Sequence, residues 1–342
     1  MITIIEHINP LLKGDNLSFE QATNLLDAVF EGEVPEPQIA AFLTAMRIKG
    51  QTASEVAGLA KSMRSHAVKV ETGLDNMVDV VGTGGAAVKT FNVSTASALV
   101  AAGAGIHVAK HGNRAITSKC GSADVLHELG VNINPGPEIV AECIKEANIG
   151  FMFAPMYHPA MKYVQPIRKS LGFRTVFNIL GPLTNPAGAQ SLVLGVAEEG
   201  LMNMMAEVLK ILGTRFALVV HSNGLDEISL TGVTKICELK DDQITEKELN
   251  LKDFGIEPTD ISQMKVADAK NSAVIIGDIL NGKETGPCRD IIILNAAAAI
   301  IAGGLAENFS SAIKLAAASI DEGKALNCLE RLIEISNKEQ NN

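Results

Sequence analysis

Between Met77 and Lys240 short apolar runs alternate with helical stretches, and no other feature restricts the fold of this chain so strongly. Strand, helix and strand in repeated succession signal a parallel sheet with crossover helices. Strands are expected at "MVDVV", "IHVAK", "GFMFA", "SLVLGV", "FALVVH" and "TKICELK", with helices such as "SADVLHELG", "PEIVAECIKEA" and "MNMMAEVLKILG" between them. A helical pair, "HPAMKYVQPIRKSLG" and "RTVFNILG", interrupts the series, and after Ala267 the pattern turns to long alanine-rich helices.

The first seventy residues read entirely as helices. "SFEQATNLLDAVFEG" opens on Ser18 and Gln21 as a capping box and closes at Gly32. "PEPQIAAFLTAMRIKG" begins with prolines and ends at Gly50, and "TASEVAGLAKSMRSHA" repeats the capping box with Thr52 and Glu55. Three amphipathic helices in succession suggest a helical domain over residues 1–70, joined by the helices near 160–181, ahead of an α/β domain over 71–342. The fold class is therefore α/β: a small helical N-terminal domain plus a larger α/β domain with a mostly parallel central sheet.

Composition limits what such a fold can bind. A formal net charge of −10 argues against non-specific nucleic-acid binding and against attachment to an anionic membrane, while leaving room for small anions that respond to local charge. The five cysteines are scattered without CxxC or zinc spacing, as in a protein of the reducing cytoplasm. Glu6 and Pro10 come too early for a signal-peptide core, and the longest apolar run, "IIILNAAAAIIA", is broken by Asn295 and short of the ~20 residues a membrane span needs. A soluble cytoplasmic protein is expected.

The stretch "DVVGTGGAAVKTFNVSTASALVAAG" places three glycines and a threonine between a strand and a helix. Bare backbone amides and a helix N-terminus suit an anion, with Ser94 and Thr95 as N-cap candidates. Alone the loop is weak evidence: "GTGGAA" fits a dinucleotide fingerprint, but the acidic residue expected about 20 positions on is missing, and no Walker A lysine follows. Charge adds to it. From Val80 to Ala123 there is no carboxylate, whereas Lys89, Lys110, Arg114 and Lys119 are present. A second anion-holding loop is expected in "AKHGNRAITSKCGSAD". His107, His66 and His127 suit core or surface roles; His111 and His158 stand beside loop residues but lack metal-ligand spacing, which argues against zinc. Asp226 and Glu227 in "HSNGLDEISL" are the carboxylates available to hold Mg²⁺ against a phosphate. No nucleophile and base signature is present, so no residue is assigned as acid or base.

"GTGGAAVKTFNVSTAS", "KHGNRAITSKCGSADVLHELG", "FMFAPMYHPAMKYVQPIRKSLGFRTVFNILGPLTNP" and "GLDEIS" resemble, in order and spacing, the motifs of the anthranilate phosphoribosyltransferase family. The resemblance runs from about Asp79 to Glu227. It implies the nucleoside-phosphorylase-like phosphoribosyltransferase architecture, transfer of a phosphoribosyl group from phosphoribosyl diphosphate to the amine of anthranilate in tryptophan biosynthesis, Mg²⁺ as cofactor, and a homodimer built through the N-terminal helices. Carried over by motif, Gly82, Gly85, Ala86, Thr90, Asn92, Val93, Ser94 and Thr95 would hold phosphoribosyl diphosphate, together with Lys110, His111, Gly112, Asn113, Ser118 and Ser122. Gly82, His111, Asn113, His158, Arg168 and Pro182 would line the anthranilate path, with Arg168 pairing to the carboxylate. Ser94, Asp226 and Glu227 would serve the metal. Two positions depart from the family pattern: Ala86 stands where an aspartate is common, and Cys120 where a serine is frequent. A pyrimidine nucleoside phosphorylase and a non-enzymatic nucleic-acid-binding relative are the competing readings; the "KHGNR" and "GPLTNP" blocks and the net charge weigh against them.

Overall fold

The computed structural model describes residues 3–86, 90–115 and 120–338. Four helices open the chain: α1 (Ile5–Leu12), α2 (Phe19–Phe30), α3 (Glu36–Lys49) and α4 (Ala53–Ser65). α1, which contains Pro10, adds one to the three helices expected from the sequence. Both capping boxes form: the Gln21 amide donates to Ser18 Oγ at 3.1 Å while the Ser18 amide donates to Gln21 Oε1 at 2.8 Å. Thr52 and Glu55 repeat the arrangement, each such cap contributing about 1 kcal/mol. Glu55 does more. Its buried carboxylate also accepts the Leu17 amide at 2.9 Å and pairs with Lys49 at 3.0 Å, tying α4 to the segment before α2 and to the end of α3.

Among the described residues, seven strands make one sheet in the order β3-β2-β1-β4-β5-β6-β7. They are β1 (Met77–Gly82), β2 (His107–Gly112), β3 (Ile149–Phe153), β4 (Ser191–Gly195), β5 (Phe216–His221), β6 (Thr234–Lys240) and β7 (Gln243–Leu249). The first six fall where the apolar runs place them. β3 to β5 in the spatial order are parallel, and β6 and β7 close the edge antiparallel. β7 escapes sequence reading because "QITEKEL" is a charged, largely exposed edge strand. It is joined to β6 by Asp241 and Asp242, both at positive φ, as a two-residue hairpin turn requires.

The crossover helices are α5 (Val93–Gly103), α6 (Ser122–Glu128), α7 (Pro137–Glu146) and α11 (Met202–Ile211), with short helices α8 (Ala154–Tyr157), α9 (Gln165–Leu171) and α10 (Phe177–Leu180) before β4. The alanine-rich C-terminal stretch supplies α12 (Ala269–Leu280), α13 (Pro287–Ala302), α14 (Phe309–Asp321) and α15 (Lys324–Ser336). The two-residue period of the strands sorts their side chains between two cores. Val193, Leu218 and Val220 pack with α5 and α13 on one face. Leu192, Leu194, Ala217 and Val219 pack on the other with α11, α2 to α4, and Val164, Ile167, Val176 and Phe177. The helical bundle is thus fastened to one face of the sheet. No described helix is long and apolar enough to cross a membrane.

Candidate active site

β1 and β4 are neighbours, but the chain leaves β1 toward β2 and leaves β4 toward β5. A crevice opens at the carboxyl ends of such a pair, and both strands end there on glycine, Gly82 opposite Gly195. The glycines are required by contact. A Cβ on Gly82 would strike the Asp226 carboxylate, and one on Gly195 would strike the Asp226 backbone, whose Cα would lie 3.0 Å away. The loop "GLDEIS" therefore sits directly on the two strand ends. The Gly84 amide donates to Asp226 Oδ2 at 2.8 Å, so the glycine loop already presents an amide to an anionic oxygen. Behind it, Asn295 of α13 clamps the residue after Glu227: it accepts the Ile228 amide at 2.9 Å and donates to the Ile228 carbonyl at 2.7 Å. The asparagine that interrupts the longest apolar run is a clasp for the carboxylate loop.

Lys110 lies buried in β2 rather than in the loop that follows, with its ammonium donating to the Val80 carbonyl at 2.6 Å and to Ser94 Oγ at 3.4 Å. Asp79 is fully buried alongside. It accepts the His111 amide at 3.1 Å and the Asn185 side-chain amide at 2.7 Å, and Asn185 also reaches the Ala109 carbonyl. Burial pushes Asp79 up and Lys110 down, and each charge restrains the shift of the other. Glu227 is raised well above the carboxylate range by burial and by Asp226 beside it, against weaker pulls from Thr90, Lys110 and the Ser94 amide. Two carboxylates thus face each other's charge at the edge of a cradle of amides and hydroxyls.

His111 faces the other way. Its Nδ1 bonds the Gly181 carbonyl at 3.2 Å, and its ring centroid lies 5.1 Å from that of His158. His111 Nε2 is buried without a hydrogen-bond partner among the described residues, and the His158 ring has the Thr184 backbone beside it. Burial lowers the two rings to pKa values of about 4 and about 3, so both are neutral at pH 7. Two neutral imidazoles thus lie side by side near the turn that carries Pro182.

Family models for two glycosyl transferase domains match the chain, the helical bundle domain at residues 5–67 and the a/b domain at residues 74–326. The anthranilate phosphoribosyltransferase of Desulfatibacillum aliphaticivorans is 46% identical over 332 residues, covering 97% of this chain and 98% of the relative. This chain belongs to the anthranilate phosphoribosyltransferase family. The solved family structure from Thermus thermophilus superposes with a TM-score of 0.92 at 38% identity, covering 97% of this chain and 99% of that one. That from Saccharomyces cerevisiae in complex with PRPP and Mg superposes at 0.89 with 30% identity and 97% coverage of both.

Of the positions carried over from the family, Gly82, Thr90, Ser94, Lys110, Asp226 and Glu227 gather around the β1 crevice through the contacts above, and Gly85 lies in the loop that follows β1. Val93 and Thr95 are buried in the first turn of α5. The N-cap of that helix is Asn92, not Ser94 or Thr95: Asn92 Oδ1 accepts the Thr95 amide at 3.0 Å and the Ser94 hydroxyl at 3.3 Å, and Ser94 Oγ in turn accepts from Lys110. Gly112 and Ser122 meet where β2 ends, since a Cβ on Gly112 would lie 3.1 Å from that of Ser122, and Asn113 is exposed beside them. Ser118 lies outside the described residues, as do Lys89 and Lys119. Arg114 is not a free cation: it pairs with Asp124 at 2.9 Å, one residue beyond the carboxylate-free window. Arg168 is half-buried on α9, its guanidinium 5.5 Å from the Phe177 ring centroid, without a hydrogen bond to either histidine. Asp79, Asn185 and Asn295 escaped sequence reasoning. For Asp79 and Asn295 the available signal was a polar residue inside an otherwise apolar run, which also describes many harmless core residues.

Proposed function

We propose that this chain transfers the phosphoribosyl group of phosphoribosyl diphosphate to the amine of anthranilate, releasing diphosphate, as a step of tryptophan biosynthesis. The observation that carries the reading is the seating of Asp226 on the glycine ends of β1 and β4, where it faces the Gly84 amide, with Glu227 beside it against Thr90 and within the charge of Lys110. Departure of diphosphate from C1 leaves an oxocarbenium-like sugar, so the site must neutralise a leaving group and hold an amine in line. Lys110, the loop amides and the hydroxyls of Thr90 and Ser94 face the first task. His111 and His158, both neutral, with Pro182 and Arg168, suit the second. An aniline nitrogen is neutral at pH 7 and loses its proton after attack, so no strong base is needed.

The donor set fits Mg²⁺. Among the described residues no three His, Cys, Asp or Glu side chains cluster as a self-contained metal cage. Mg²⁺ characteristically takes one or two carboxylates and completes its shell with water and phosphate oxygens, and Asp226 and Glu227 supply such a pair. Burial and the charge of Asp226 raise Glu227, and a bound cation would offset both. Ser94 is the hydroxyl for that ion in this reading, and the ion when bound neutralises charge on the diphosphate.

A homodimer through the N-terminal helices is supported by three large apolar side chains left exposed on α1 and α3, Ile5, Leu12 and Ile48. Five free cysteines suit a reducing cytoplasm. The reaction is tested by following loss of anthranilate fluorescence with phosphoribosyl diphosphate and Mg²⁺. Consumption should require all three and release one diphosphate per anthranilate. Phosphorolysis of a nucleoside without anthranilate turnover would overturn the reading.

A further inference from the structure

Arg174, in the link between α9 and α10, reaches across to the glycine loop 89 positions earlier in the chain. Gly85 stands at φ 88°, a conformation that favours glycine, and a Cβ there would collide with Arg174 Nη1 and lie 2.9 Å from Cζ and 3.1 Å from Nη2. The whole fork of the guanidinium is therefore laid on the loop backbone.

The base of this arginine is fixed on the helical side. The Thr175 amide donates to Asn178 Oδ1 at 2.9 Å, and Val176 and Phe177 are buried in the core shared with α2 to α4. Its charged end is not matched. Arg174 has no hydrogen-bond or ion-pair partner among the described residues, whereas Arg114 pairs with Asp124 and Arg168 lies over Phe177. A guanidinium cannot shed its proton, and in a chain of net charge −10 a carboxylate partner is easily supplied. Here it is instead held against a loop whose Gly84 amide already donates to an anionic oxygen.

We infer that Arg174 is a diphosphate-binding residue, delivered from the helical side of the cleft onto the glycine loop at Gly85. The inference rests on the transfer reaction proposed above. A planar fork of donors matches two phosphate oxygens, and a cation fixed on one wall of the cleft that binds an anion on the other draws the walls together around the leaving group.

The test is calorimetric titration of wild type, Arg174→Ala and Arg174→Lys with inorganic diphosphate in Mg²⁺, alongside steady-state kinetics. Arg174→Ala should weaken diphosphate binding about 10- to 100-fold and raise KM for phosphoribosyl diphosphate similarly, leaving KM for anthranilate within about threefold. Arg174→Lys should restore part of the affinity, because it keeps the charge and loses the fork. Equal diphosphate affinity in wild type and Arg174→Ala overturns the inference alone. So does an equal rise in both Michaelis constants, which marks a purely structural arginine. A wild type that binds no diphosphate overturns the reaction assignment and this inference with it.

Discussion

Lys110 and His111 are neighbours in β2, yet they serve opposite halves of the cleft. The pleat turns Lys110 toward Val80, Ser94 and the Asp226–Glu227 loop, and turns His111 toward Gly181 and His158. The first half is built of charges that need one another. Asp79, Lys110 and Glu227 are all displaced from their ordinary pKa by burial and partly restored by their neighbours. The second half carries no charge at its centre, only imidazoles held neutral. Under the proposed reaction, one strand would separate the leaving group from the acceptor within two residues, with the sheet itself as the wall.

If that division holds, damage to the charged half should be the most severe. Replacing Asp226 and Glu227 together with alanine should lower turnover about a thousandfold or more, while the melting temperature moves only a few degrees, since removing the unfavourably placed Glu227 carboxylate offsets loss of the Gly84–Asp226 hydrogen bond. Near-normal rates at ordinary Mg²⁺ would remove the carboxylates from the mechanism.

On the neutral half, Arg168→Ala should act on one substrate. Loss of a charge-assisted pair of about 2 kcal/mol raises KM for anthranilate roughly 30-fold, with KM for phosphoribosyl diphosphate little changed. Equal effects on both constants would erase the boundary between the halves.

The histidines offer a test that does not depend on turnover. Their folded pKa values, about 4 for His111 and about 3 for His158, lie below the ordinary 6.5, so the unfolded chain binds these protons first. Their contribution is complete above pH 6.5 and is lost as pH falls toward the folded values. One such histidine costs on the order of 2 kcal/mol at pH 5. Asp79, raised by burial, works in the opposite direction, so the difference between proteins is what counts. Urea midpoints measured from pH 7 to 5 should fall less steeply for His158→Gln than for wild type; parallel profiles would show that the ring is not held neutral.

The smallest effect is expected at Ala86. A carboxylate there would face the diphosphate and help only with a metal ion between them. Ala86→Asp should therefore make KM for phosphoribosyl diphosphate a few-fold more sensitive to Mg²⁺. Superimposable Mg²⁺ series for the two proteins would show that position 86 does not face the ion.

Legibility in the sequence followed distance along the chain. Capping boxes at Ser18 and Thr52 close within four residues, so spacing alone reveals them. Strand positions follow from runs of apolar residues, and the edge strand β7 was missed because charges face solvent along most of its length. The N-cap of α5 was misplaced by two residues because Asn92, Ser94 and Thr95 are all competent caps and the choice depends on backbone geometry. The family motifs already divide the expected site residues into a phosphoribosyl diphosphate set and an anthranilate set; the contacts by which Lys110 meets Ser94 and His111 meets Gly181 and His158 were not legible.

Sequence by itself determined the elements: which stretches are helix or strand, where glycine lets the backbone turn, and that a region free of carboxylates follows β1. Short-range sterics and hydrogen bonding suffice for that. Only the tertiary structure decided which distant groups meet. Asp79 finds Asn185, Asn295 clasps Ile228, Asp226 settles on Gly82 and Gly195, and Arg174 lies on Gly85. Each of these contacts joins residues brought together by sheet order and by the burial of the helical bundle against one face of the sheet. Burial also sets the charge of each group, because removal from water, rather than residue type, is the largest influence on Asp79, Lys110, His111, His158 and Glu227.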